Sequence, residues 1–534
     1  MKNIFYIVID SLRWDIFSNL DAAEAVAPNL RKLLNSGFVQ RVVTNSQSTQ
    51  FVMPSIFSLT YPLDYGGYNA GIRDRPKSYV ETLKANGYRT NLISTCNQLG
   101  ASFGYERGFE RLATTNNFAT LIEQLIQRLL SYEAALGENG VRSEEETSKI
   151  VQHEFGEALI GIQNQFLQWD KSFWTKKLYN WNQHVYQGSI AELSLLKRNP
   201  KAILAKLRNI TPGVYWKFLG QEKAAPLPLL FARIIESFRW RTRSFLQHIH
   251  WFPLILLSHY QTLMRDITPQ MISFVSEAKT PWLIHSHIMD VHDCTAINRP
   301  LWRLKLLKYL PRIMRARKQG HTNRRYLYDL TLAEVDHELG KIIEALKTSG
   351  KFKDTVFVVT GDHGSQYAQS PRIKKSVGMR THYEDIEVPI LLINADIAPS
   401  VETGLIDSMG VTATLLEAVG VPFDPSFKGI SIFSGGREAV ITESAGSGNA
   451  DIDRRDLYFT VTTKDYKIMA ILKDKILNVQ QLYDLKNDPY ELANIVKEPK
   501  NKPIILKLLG YLYQERRDIF IRRKASLDPS DVLI

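Results

Sequence analysis

The tightest constraint on the fold is a pair of short apolar runs that each end in acid. Ile4 to Ile9 is followed at once by Asp10, and Thr355 to Thr360 is followed by Gly361, Asp362 and His363. An apolar run without alternation is a strand buried on both faces, the habit of parallel sheets covered by helices. The surrounding sequence keeps an α/β rhythm. "APNLRKLLNSG" reads as a helix closed by Gly37, "SYVETLKANGY" as a helix closed by Gly87, and "RTNLIST" as the next strand. The rhythm returns between "PWLIHSHIMD" and "VPILLIN", around a long helix, "RYLYDLTLAEVDHELGKIIEAL". Residues 1–115 and 280–400 are therefore expected to be two halves of one α/β catalytic domain, with a mostly parallel sheet between helices. Residues 116–279 carry long helical patterns rich in Trp, Phe and Arg and predict a large helical insertion. Residues 401–534 predict a small C-terminal α+β subdomain with a basic helical tail.

In open parallel sheets ligands bind beyond the carboxyl ends of the strands, so Asp10, Asp362 and His363 should reach one edge. Two carboxylates and an imidazole suit a divalent metal. Taken singly, Asp10 reads as easily as a helix cap at "DSLR", and Asp-His-Gly as a turn. A third strand, "PWLIHSHIMDVHD", brings His285, His287, Asp290 and His292 to its end, either as a functional cluster or as a satisfied loop network. His382, in "MRTHYEDIEVP", reaches the same edge if the preceding loop folds back.

The stretch "TNSQSTQFVMPSIFSLTYPLDYGG" places Ser46, Ser48 and Thr49 ahead of an apolar helix, with Pro54 suited to its first turn. The plain reading is helix capping. The chemical reading is that a hydroxyl at a helix N-terminus, beside a cation held by Asp10, Asp362 and His363, becomes a nucleophile at neutral pH. Both Ser48 and Thr49 qualify.

Lys and Arg number 67 against 55 Asp and Glu, a net charge of +12, which favours anionic partners. From Cys294 to Tyr328 there are ten Lys or Arg and no Asp or Glu, including "LWRLKLLKYLPRIMRARK". This pattern reads as a solvated face or as a peripheral contact with an anionic membrane. No nucleic-acid partner is expected. Cys96 and Cys294 make no disulfide framework, and the short run in "MKNIFYIVID" ends in an acid without a cleavage site. The longest apolar stretch, around "HIHWFPLILLSHY", is too short to span a bilayer. A cytoplasmic protein, peripheral at the inner membrane surface, is the expectation.

At these motifs the chain resembles the sulfatase and alkaline phosphatase superfamily. "IVIDSLRWD" looks like its first metal strand, "PSIFSLTYPLDYGGY" like its nucleophile helix, "IMDVHD" like its central histidine loop and "VVTGDHG" like its second metal strand. "LYDLKNDPYELANI" is similar to the C-terminal signature of sulfatases, and the motifs cover residues 1–115 and 281–495. The resemblance implies an alkaline-phosphatase-like core. Sulfatases proper carry Cys or Ser two residues before the helix Pro, matured to formylglycine; here that position is Val52, and Ile56 replaces the Arg, which excludes that chemistry on this alignment. Thr49, five residues before Pro54, instead looks like the nucleophile of phosphoethanolamine and phosphoglycerol transferases. Ser11 stands where the family usually has a second Asp, so the resemblance implies one divalent ion (calcium, magnesium, manganese or zinc) held by Asp10, Thr49, Asp362 and His363. His292, His287 or His382 would bind ester oxygens or protonate the leaving oxygen. The expected function is hydrolysis of sulfate or phosphate esters through a covalent Thr49 intermediate. A group transferase acting on a glycan or lipid-linked glycan, and a catalytically silent binding protein, are the alternatives.

Overall fold

The structure is a computed structural model that describes all residues except 97, 101–102, 139–143, 247–261, 280, 296, 298, 317–322, 367–379, 397–403, 447–450, 529–530 and 534. "HIHWFPLILLSHY" lies outside the described residues. Eight strands form the main sheet: β1 (Asn3–Ile9), β2 (Gly37–Val43), β3 (Arg89–Ser94), β4 (Arg111–Thr114), β5 (Trp282–Ile288), β6 (Thr355–Thr360), β7 (Glu387–Ile393) and β8 (Ile406–Asp407). Their spatial order is β4-β3-β5-β1-β6-β7-β2-β8. β1 sits between β5 and β6 and runs parallel to both. The carboxyl ends of these three strands therefore converge, as the acid-terminated runs predict.

The sheet is mixed at one side. β7 runs antiparallel to both β6 and β2 and starts directly after the short helix Tyr383–Ile386.

β1 shows why the run is apolar throughout. Ile4, Tyr6 and Val8 join one core, with the helices Thr49–Ser58 and Ser408–Ala418, while Phe5, Ile7 and Ile9 join a second core, with the helix Asn323–Thr348. A one-residue slip would exchange every one of these side chains. A second, antiparallel sheet, β9 (Val440–Ser444), β10 (Leu457–Thr462), β11 (Tyr466–Lys473) and β12 (Ile476–Asp484), packs with the helix Lys502–Glu515 into the first core.

The described elements between residues 116 and 279 are helices. The helices Phe118–Glu138, Glu144–Gln168, Lys176–Arg198 and Pro200–Asn209 share a hydrophobic cluster of their own, around Ile126, Phe155 and Leu204. The helix Met264–Glu277 instead packs into the second core of the main sheet.

One local expectation is corrected, that for Pro54. Gly87, at φ +87°, follows the helix Tyr79–Ala85, and Gly37 caps the 3-10 turn Leu34–Ser36 that ends the helix Pro28–Leu33, its amide donating to the Leu34 carbonyl oxygen; it does so in an extended conformation and begins β2. A Cβ there would come within 2.2 Å of the Leu392 carbonyl oxygen, so the close approach of β2 to β7 is what requires glycine. The helix Thr49–Ser58 begins at Thr49, which puts Pro54 inside the helix and not in its first turn.

Candidate active site

Asp10 and Asp362, both fully buried, project from the ends of β1 and β6, and Thr49 opens the helix Thr49–Ser58 beside them. The Thr49 hydroxyl donates to Asp10 Oδ2 at 2.9 Å and lies 3.2 Å from His363 Nε2. Ser48 occupies the N-cap position without a side-chain cap bond, and Ser46 donates to the Glu443 carbonyl oxygen at 2.8 Å. Of Ser46, Ser48 and Thr49, the fold thus brings Thr49 to the acids.

Ser11 organises both carboxylates. Its left-handed backbone, φ 64°, lets its amide donate to Asp362 Oδ1 at 3.2 Å while its hydroxyl donates to Asp10 Oδ1 at 2.9 Å. A second acid in its place would add charge; the serine adds two donors. His363 Nδ1 lies 2.6 Å from the Gly364 carbonyl oxygen. A carbonyl can only accept, so Nδ1 carries a proton, and Nε2 is the ring nitrogen that faces the acids.

The donor set fits a divalent ion. One oxygen or nitrogen from each of Asp10, Asp362 and His363 lies within 4.8 Å of the others, and Asp362 Oδ2 is buried without a hydrogen-bond donor. His363 Nε2 is 3.6 Å from Asp10 Oδ1 and 3.6 Å from Asp362 Oδ2. Such separations are long for hydrogen bonds but suit ligands that share an ion about 2.0–2.2 Å from each.

The strand β5 sorts its histidines by depth. His285 bonds the Tyr79 hydroxyl at 2.7 Å and packs between the rings of Tyr6 and Phe57, so it is a core residue, and burial pushes its imidazole well below the ordinary value. His287, two residues on, points the same way but sits at the sheet edge, with Nε2 3.5 Å from Asp10 Oδ2 and 3.8 Å from Asp362 Oδ2. Asp290 accepts from the Met264 amide with both oxygens at 3.1 Å, capping the helix Met264–Glu277. Burial pushes its carboxyl up to about 8. His292 is 45% exposed, and its ring centre lies 6.2 Å from that of His363.

The electrostatics are reciprocal. Burial would raise the Asp10 carboxyl, but the imidazoles of His292, His287 and His363 outweigh it and hold Asp10 well below the carboxylate range. The Asp10 carboxylate in turn raises His292 against its own burial, with Asp293 adding a hydrogen bond at 3.0 Å.

His382 belongs to a neighbouring cluster that the sequence did not disclose. Its Nδ1 lies 2.8 Å from Glu491 Oε2, and Glu491 also pairs with the buried Lys467. Glu491 is the acid of "NDPYELANI", so the C-terminal signature delivers the carboxylate that orients His382. The segment docks beside Asp362 and His363: the Gly364 amide donates to the Asp385 carbonyl oxygen at 2.7 Å.

This arrangement can be set beside known proteins. A family model described as Sulfatase matches residues 2–421. The chain belongs to the Sulfatase family. Among curated relatives, arylsulfatase K of Bos taurus is 25% identical over 232 residues, 38% of this chain and 41% of the relative. The endo-4-O-sulfatase of Bacteroides thetaiotaomicron is 26% identical over 290 residues, 48% of this chain and 55% of the relative. The chain thus spans about half the length of the curated relatives it matches. Among solved structures, a 2-O GAG sulfatase superposes with a TM-score of 0.54 at 14% identity, covering 99% of this chain and 95% of that one. The phosphonate monoester hydrolase of Agrobacterium radiobacter gives 0.54 at 14% identity, covering 97% and 96%. These likenesses establish the Sulfatase-family α/β fold.

The basic segment after His292 forms the short helices Pro300–Leu306 and Leu310–Ala316. Trp302, Leu306 and Ile313 are buried in the second core, whereas Leu301, Leu304, Leu307 and Met314 are exposed by 77, 49, 41 and 53%. Arg317 lies outside the described residues. Among the described residues, no helix is long and apolar enough to cross a membrane.

Proposed function

We propose that this Sulfatase-family chain is a metal-dependent hydrolase of sulfate or phosphate esters that works through a covalent Thr49 intermediate. The observation that carries the reading is the Thr49 hydroxyl at a helix N-terminus, 2.9 Å from Asp10 and 3.2 Å from His363. Asp10, Thr49, Asp362 and His363 would hold one divalent ion. When bound, the ion supplies positive charge that lowers the pKa of the Thr49 hydroxyl and neutralises a non-bridging ester oxygen.

The residues of the chain do the rest. Thr49 Oγ1 forms the new bond to sulfur or phosphorus as the bridging oxygen departs with its electron pair. His292, half-exposed and hydrogen-bonded to Asp293, gives that oxygen its proton. His287 lies close enough to the two acids to steady the ester oxygens beside them, and His382, oriented by Glu491, is a second contact for the anion. Water then attacks sulfur or phosphorus and releases Thr49.

Val52 at the formylglycine position favours a second reading, in which an acceptor hydroxyl on a glycan or lipid-linked glycan replaces the water. The curated endo-4-O-sulfatase and the solved 2-O GAG sulfatase support a glycan-linked ester as substrate in either case. The free, buried Cys96 and Cys294 support a reducing, cytoplasmic setting. Intact-mass spectrometry after incubation with sulfate and phosphate esters tests the mechanism: an adduct on Thr49 supports it, and turnover without any adduct in rapid-quench samples refutes it. Turnover that depends on an added acceptor separates transfer from hydrolysis.

A further inference from the structure

Beside the nucleophile lies a cleft of about 230 Å³, built where the family core meets the helical insertion. Gln50, the residue after Thr49, and Gln98 line it from the core; Gln124, Arg128 and Gln165 line it from the helices Phe118–Glu138 and Glu144–Gln168. The volume is at the small end of ligand pockets, which run from about 300 to 1,000 Å³, and suits one ring of a ligand.

Its chemistry is unusual in two respects. Five glutamines share the wall with Phe103, Leu121, Leu125 and Ile162, and an amide both donates and accepts, as a hydroxylated ring requires. Gln50 Nε2 is buried without a hydrogen-bond partner. Arg128 stacks 4.8 Å over the Phe103 ring, and among the described residues no carboxylate lies within ion-pair distance of it. Burial pulls its guanidinium down to about 10, with Glu154 and Tyr105 offsetting part of that cost. The fold thus holds a cation from the insertion and an unanswered donor from the core in one cleft, and that donor belongs to the residue next to Thr49 in the chain.

We infer that this cleft recognises a hydroxylated ring carrying a second oxyanion, an acidic sugar unit adjoining the ester that Thr49 attacks. Arg128 takes the oxyanion as a planar fork, the glutamines take ring hydroxyls, and the Phe103 face keeps the guanidinium in place. The inference rests on the ester-cleaving reading of Thr49. It makes the insertion a source of selectivity, since Gln124, Arg128 and Gln165 all belong to it.

The test is calorimetric binding to full-length protein, with no turnover needed. The probes are three disaccharides without a cleavable ester at the reacting position: one neutral, one with a carboxylate, one with a sulfate. At least about tenfold tighter binding of an acidic probe than of the neutral one is expected, with that preference lost in Arg128→Gln and only partly kept in Arg128→Lys, which retains the charge but not the planar fork. The acidic probe that shows the larger Arg128 dependence names the oxyanion. Should Arg128→Gln melt early, Gln124→Ala serves as the second variant, weakening all three probes alike. Equal binding of acidic and neutral probes, no binding of any probe, or a preference indifferent to both variants overturns the inference. Because no ester is cleaved, a failed Thr49 adduct experiment leaves this result readable.

Discussion

Glu491 Oε2 lies 2.8 Å from His382 Nδ1, a contact across 109 residues of chain. The same carboxylate accepts from the Tyr383 amide at 3.1 Å and pairs with Lys467, and all of this is buried. Burial would raise the Glu491 carboxyl, but Lys467 and His382 outweigh it and hold it low. A lowered acid contributes stability that is present above its unfolded pKa and lost as pH falls through the folded value.

Glu491→Ala strands Lys467 in the core, and should cost about 3–5 kcal/mol in denaturant unfolding. Glu491→Gln should keep the fold and lower turnover, because the amide can turn its NH₂ toward His382 Nδ1 and force the other tautomer. A Glu491→Gln enzyme with wild-type rate and pH profile would show that His382 needs no such orientation.

Thr49→Ala should reduce turnover by roughly 10³-fold or more, as loss of a covalent nucleophile does, and leave the fold intact. Metal content by elemental analysis should persist in Thr49→Ala but fall in Asp362→Asn and His363→Ala. Exhaustive chelation should abolish wild-type activity, and re-addition of a divalent ion should restore it. Full activity after chelation would remove the metal from the mechanism.

If His292 protonates the departing oxygen, its loss should matter most where that oxygen is a poor leaving group. His292→Ala is expected to slow an alkyl ester by about 10²-fold or more, and a nitrophenyl ester far less. Equal losses on both would assign His292 to anion binding.

Much of this site was readable in the residues because strand ends announce themselves. Asp10 and the Asp362, His363 pair follow uninterrupted apolar runs, and a buried parallel strand must deliver its next residue to the carboxyl edge. What stayed hidden depends on backbone angles and distant partners. Ser11 reads as a missing acid until its φ of 64° shows both its amide and its hydroxyl turned onto the carboxylates. Gly37 reads as a helix stop, which it is, but the approach of Leu392 that forbids a side chain there is a tertiary fact. His285 and His287 are chemically identical in sequence and separate once Phe57 and Tyr79 are seen to enclose the first.

Asp290 should leave a mark on the pH dependence of stability. Its carboxyl is raised by burial to about 8, far above an unfolded aspartate. A raised acid contributes stability that is complete below the unfolded pKa and lost as pH rises through the folded one, so its share should fade between about pH 4 and 8. Asp290→Asn, which keeps an acceptor for the Met264 amide, should flatten that slope in thermal melts. An unchanged slope would mean that the carboxylate is ionised in the folded protein.

The basic segment after the histidine loop is proposed to meet an anionic membrane surface. The fold divides its apolar residues: Trp302, Leu306 and Ile313 anchor it to the core, while Leu301, Leu304, Leu307 and Met314 face solvent among Lys305, Lys308 and Arg315. A stretch needed only for packing would bury the first set and dispense with the second. Exposed leucines beside cations are the composition that inserts at a lipid interface, with about 1 kcal/mol per basic residue near an anionic surface. Co-sedimentation with phosphatidylglycerol vesicles, but not phosphatidylcholine vesicles, is expected at low salt and should fade as salt screens the charges. Leu301→Gln with Leu304→Gln should weaken binding at every salt concentration, because it removes the inserted surface. Arg315→Gln should weaken it mainly at low salt, because it removes charge alone. Wild-type protein that ignores anionic vesicles would make the segment a solvated face, and binding indifferent to all three substitutions would place the docking surface elsewhere.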